Sequence, residues 1–196
     1  MLMSFVGSVG TLMTNCGLDH IMESTFAGVP KMLNGKKFPQ NVRALRIVVE
    51  KLLRMSFLEN IFQRYSEFED YLDKTATESR TSRLWVDCLI KPLLIIMMYV
   101  RAKREADWPL HLAAVELMLP YFFAAGHVNY ARYGLYYLRS MEAMPTEVRE
   151  RFLKGEHVML HVPGAWNAIW SDMFIETTFM RYGHGKKGII GITLKH

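Results

Sequence analysis

Cysteine is almost absent: Cys16 and Cys88 are the two present in 196 residues, and they form no C-x-x-C pair. That excludes a disulfide framework and a cysteine zinc knuckle, and it fits a reducing, intracellular setting. The apolar opening "MLMSFVGSVGTLMTNCGLD" lacks the basic lead of a secretory signal. Long apolar runs are missing as well. Leu93–Val100 is short and follows Asp87, Lys91 and Pro92, while 112–125 is interrupted by Glu116 and Pro120. A spanning helix needs about 20 largely uninterrupted apolar residues, so a membrane partner is not expected. No internal repeat or low-complexity tract occurs, and Gln40 to Ser79 holds neither glycine nor proline.

What is present is an ordinary globular balance, 51% hydrophobic and 22% charged, with a formal net charge of +5. A chain of this size buries a real core, and the positive balance permits an anionic partner without demonstrating one. Apolar residues recur at helical spacing from the start, at Leu2, Phe5, Val6, Val9, Leu12 and Met13. Gly17 breaks that helix, and a second ends at Gly28. "VPKMLNGKKFP" reads as a connector with a turn at Asn34-Gly35. Further helices are expected within 40–79 and over 81–104, 108–124, 127–141 and from Pro145 to Gly155. The fold class is therefore mainly α: a single mostly helical domain over 1–196, with a bundle at 1–155. Residues 156–196 are expected to hold a loop or short strand, a helix carrying Glu176 and a basic glycine-rich tail.

Charge is unevenly placed. Lys36, Lys37, Arg43, Arg46, Lys51 and Arg54 outnumber Glu50 in 36–54, whereas 59–78 is rich in Glu and Asp. These segments read as a basic helix and an acidic one facing each other, or as two solvated faces.

Several patterns carry possible chemistry. Gly183, Gly185 and Gly188 spell G-x-G-x-x-G, but they follow an expected helix instead of joining a strand to one, so no nucleotide cofactor is read there. Arg181, Lys186, Lys187 and Lys195 make the same segment basic, with no acidic residue after Glu176. It suits a loop that approaches phosphate, and equally a flexible end. His157 and His161 stand at i, i+4, which on a helix would let both reach one metal; hydrogen-bonded structural histidines explain them as well. Asp172 and Glu176 share that spacing and would suit a hard divalent ion, or a helix cap and an ion pair. In "HVNYARYGLYYLRS", Asn129, Arg132, Tyr136 and Arg139 share one helical face, and Tyr130, Tyr133 and Tyr137 another. Tyrosines interleaved with arginines suit base stacking and phosphate pairing, the alternative being a tyrosine-rich core helix.

"WPLHLAAVELMLPYFFAAGHVNYARYGLYYLRSM" and "WNAIWSDMFIETTFMRYGHGKKGIIGITLK" resemble an uncharacterised, multicopy family of animal proteins. That family looks like a mobile-element product, a transposase with a ribonuclease-H-like core interrupted by a helical insertion. The resemblance implies two strand-borne aspartates and a later helical carboxylate holding two divalent ions. Glu176 would be that late carboxylate, with Asp172 beside it. Asp19 lacks a strand context and is a poor substitute for the early pair. The chain would correspond to the insertion and the last catalytic helix without the sheet. It would then bind no Mg2+ by itself and cleave nothing, while retaining DNA contacts at Arg132, Arg139, Arg181, Lys186 and Lys187. DNA contact would extend the intracellular expectation to the nucleus. A helical protein-interaction module is the alternative from another class.

Overall fold

A computed structural model describes residues 1–34, 37–57, 65–160, 162 and 165–170. It is mainly α-helical, with one small antiparallel sheet among the described residues. The chain divides into two compact units, Met1–Met97 with Ala114–Arg139, and Met98–Ala113 with the described part of Ser140–His196.

In the first unit, α1 (Leu2–Leu12) buries the stripe that its spacing foretells, with Phe5, Val6 and Val9 inaccessible. Phe5 meets the ring of Phe122 edge-on at 5.4 Å and that of Tyr121 at 5.8 Å. Gly17, with φ 83°, enters α2 (Leu18–Glu23) in the left-handed region, where a side chain would be strained. Leu18 and Met22 are its buried positions.

The expected connector "VPKMLNGKKFP" needs correcting, because its first half is a helix, α3 (Val29–Leu33). Pro30 sits in the first turn, where its missing N–H costs nothing and its fixed φ suits the helix. This short helix lies tightly against α1. A Cβ added at Gly10 would collide with the carbonyl of Leu33.

Helix α4 (Phe38–Phe57) buries Ala44, Leu45, Val48 and Val49. Asn41 is fully buried, and its side-chain amide donates to the Met32 carbonyl at 2.5 Å, tying α4 to α3. Helix α5 (Tyr65–Glu78) packs on α6 (Arg80–Trp85) and on a π-helical turn, Val86–Ile90. Ser79 caps α6, its hydroxyl accepting from the Ser82 N–H at 3.0 Å. The π turn leads into α7 (Lys91–Glu105), whose second residue, Pro92, has no N–H to give; a wider turn is a common way to absorb such a break. Helices α8 (Trp108–Ala124) and α9 (Val128–Glu142) are separated at Gly126, φ 77°.

In the second unit, α10 (Thr146–Leu153) starts after Pro145 and ends ahead of Gly155. Strand β1 (Val158–Leu160) then pairs antiparallel with β2 (Ile169–Trp170). Rings build the core here. Trp108 is almost fully buried, stacked on His111 at 5.3 Å and edge-on to Phe152 at 4.6 Å. Trp170 approaches His111 at 4.6 Å and His157 at 4.7 Å. No helix among the described residues is long and apolar enough to cross a membrane.

Candidate nucleic-acid interface

Helix α9 carries the most distinctive described surface. Its periodicity would allow a buried tyrosine face, and that core-helix reading is overturned. Gly134 is the one buried position on α9 among the described residues. Tyr133 is 64% and Tyr136 71% exposed. The cause is a tertiary contact: Gly134 faces α8, where an added Cβ would stand 2.5 Å from Leu119 Cδ2. With the glycine edge facing inward, the arc opposite must face outward, because helical residues advance by about 100° each.

That outward arc holds Asn129, Arg132, Tyr136 and Arg139, which share one face as their spacing foretold and are all exposed, with Tyr133 on its flank. The Arg132 guanidinium lies 5.4 Å from the centroid of the Tyr133 ring, a cation–π pair at the surface. Tyr130 is the anchored member of the group, stacked on Phe122 at 5.2 Å with an interplanar angle of 19°. No acidic residue occurs on α9 before Glu142, so Arg132 has no carboxylate of its own helix near it, while Arg139 has Glu142 three residues on. Such a face can present cations to phosphates and ring faces to bases.

Other bases lie on α4, where Arg43, Arg46, Lys51 and Arg54 are exposed. Arg54 pairs with Glu50 at 2.8 Å on the same helix. The acidic α5 packs against α6 and the π turn, and its Asp73 reaches Lys91 at 3.1 Å. Lys91 also holds Asp87 at 3.1 Å, and Arg83 stands 3.7 Å from Asp87. Burial opposes the charge on Lys91, but the two carboxylates outweigh it and hold the amine above its ordinary range. The Cys88 thiol is raised by burial, then by Asp87 and Cys16, so it stays protonated and is a weak nucleophile.

The remaining expected site residues are less well served. Asp172, Glu176, Arg181, Lys186, Lys187 and His161 lie outside the described residues, as does Lys36. His157 is described, and it belongs to the aromatic core of the second unit. Its Nδ1 lies 3.0 Å from the Phe152 carbonyl, which can only accept, so that nitrogen carries the proton. Strand β1 follows His157 directly, so His157 does not stand on a helix. Asp19 stands in the first turn of α2, a helix and not a strand end, in keeping with its rejection as an early catalytic aspartate. No cluster of three or more metal-ligating side chains occurs among the described residues.

Sequence reasoning missed one assembly. The sequence assigns no role to Trp166 and Trp170, yet both indoles turn to the end of α7. Trp166 Nε1 donates to Glu105 at 2.8 Å, and Trp170 Nε1 donates to the Lys103 carbonyl at 3.0 Å. The Ala168 N–H adds a bond to the Arg104 carbonyl at 3.0 Å. Lys103 Nζ sits 3.7 Å over the Trp170 ring. The uncapped carbonyls of a helix end need such donors, and a stretch with two indoles was the available signal.

A family model described as "Domain of unknown function (DUF8702)" matches residues 1–64 and 56–196, which together span the sequence. The chain belongs to the DUF8702 family. No curated protein and no solved structure matches it. In this DUF8702 chain α9 presents Arg132, Tyr136 and Arg139 on the side opposite Gly134, with Tyr133 on the flank.

Proposed function

We propose that this chain is a nucleic-acid-binding helical module whose contact surface is α9, without strand-cleaving chemistry of its own. The observation that carries the reading is the exposure of Tyr133 and Tyr136 beside Arg132 and Arg139 on a helix whose one acidic residue is Glu142, in its last turn. Large exposed rings interleaved with guanidinium groups match what a polyanion with π faces requires. The net charge of +5 favours the same class of partner. The resemblance of 108–141 and 166–195 to a transposase-like mobile-element family makes DNA the natural polyanion. Within that reading Arg181, Lys186 and Lys187 would extend the contact, and Glu176 with Asp172 would be the remnant of a metal site that needs Mg2+ and further aspartates.

The test is fluorescence anisotropy with labelled DNA at low salt. The wild-type chain should bind, and Arg132→Ala with Arg139→Ala should weaken binding of every sequence about equally, as loss of phosphate contacts does. Wild-type binding that the double variant leaves intact would remove α9 from the account.

A second reading, a protein-docking module, has its own support. Phe123 is 69% exposed, and Val128 and Leu135 are also exposed. Absence of any DNA binding, with self-association or peptide binding lost on Phe123→Ser, would favour it.

A further inference from the structure

We infer that the ligand of α9 is a single strand, its bases stacked on Tyr133 and Tyr136; this rests on the reading of α9 as a nucleic-acid interface. In a duplex each base is covered by its neighbours, and a protein reaches phosphates, sugars and base edges. An unpaired strand offers π faces, and aromatic side chains then contribute to affinity without reading sequence. Duplex phosphates are met by cations and by donor groups at side-chain tips, so open ring faces add affinity chiefly where bases are unpaired. Tyr133 at 64% and Tyr136 at 71% exposure have the accessibility that a stacking platform requires.

Their spacing fits as well. Residues three apart rise about 4.5 Å along a helix, close to the ~3.4 Å step between bases of one strand. Along α9 the order is Arg132, Tyr133, Tyr136, Arg139, so the platform is bracketed by a cation at each end. Arg132 is already held beside its ring at 5.4 Å, where a phosphate attached to a base on Tyr133 would fall within reach. The two arginines lie roughly 10 Å apart along the axis, long enough to hold the backbone of a short run of nucleotides.

The experiment compares a labelled 20-nucleotide polypyrimidine strand with the same strand annealed to its complement, on the full chain at one low salt concentration. The single strand should bind at least tenfold tighter. Tyr133→Leu and Tyr136→Leu should each weaken it by roughly fivefold to a hundredfold, with duplex binding unchanged. Tyr133→Phe and Tyr136→Phe should bind like the wild type, because the ring is kept. Both positions are exposed, so unchanged circular dichroism is expected for all four variants. Duplex binding as tight as single-strand binding, or Leu variants as tight as wild type, would overturn the single-strand inference while leaving α9 as a phosphate-contacting face. If neither nucleic acid binds, the inference and the proposed function fall together.

Discussion

Trp166 donates its indole N–H to one carboxylate oxygen of Glu105 at 2.8 Å, while the other oxygen accepts from Arg101 at 2.9 Å. Two donors on one carboxylate fasten the 165–170 segment to the end of α7. The hydrogen bond from Arg101, followed by that from Trp166, holds the Glu105 carboxyl below its ordinary range. Its folded value is the depressed one, so the contribution to stability is present above the unfolded value, about 4.3. It is lost as pH falls through the lower folded value. Tryptophan emission, taken as wild type minus Trp166→Phe, should stay level down to that ordinary glutamate range and change only below it. Glu105→Gln should remove the change. A transition above the ordinary range would contradict the arrangement.

Gly10 provides a sign test of the α1–α3 contact. An alanine in a helix interior ordinarily stabilises relative to glycine by about 1 kcal/mol. Here the new methyl would strike the Leu33 carbonyl, a backbone group that cannot swing away. Gly10→Ala should therefore destabilise by about 1–3 kcal/mol in denaturant unfolding. A gain in stability would show that α3 does not lie on α1.

Trp108 tests the aromatic core of the second unit. It packs on His111, Phe152, His157 and Trp170 while nearly inaccessible. Trp108→Ala should cost about 3–5 kcal/mol, and hydrogen exchange should rise at Phe152 and around β1. A cost under about 1 kcal/mol would mean that the cluster is not a core.

These contacts mark where sequence reasoning works. The α1 stripe, the break at Gly17 and the limits of α9 were legible because a 3.6-residue period and glycine punctuation are local signals. The five-residue α3 escaped because so short a helix has no period to read, and its proline looked like a connector. The Trp166–Glu105 bond spans 61 positions: the two indoles signal donors, but nothing local says which acceptor they meet. On α9 the sequence identified which residues share a face, yet not which face is wet. That depended on Gly134 meeting Leu119, a tertiary contact. Tyrosine suits core and surface alike, so composition left both readings open.

The salt dependence of single-strand binding tests the central claim most directly. For a single strand, log K falls with log salt by about 0.7 per phosphate neutralised. If Arg132 and Arg139 each meet a phosphate, the slope of the double alanine variant should be shallower than that of the wild type by about 1.4. Tyr133→Leu should weaken binding and leave the slope unchanged. An identical slope in wild type and double variant, or no binding at low salt, would contradict the assignment of α9 as the nucleic-acid interface.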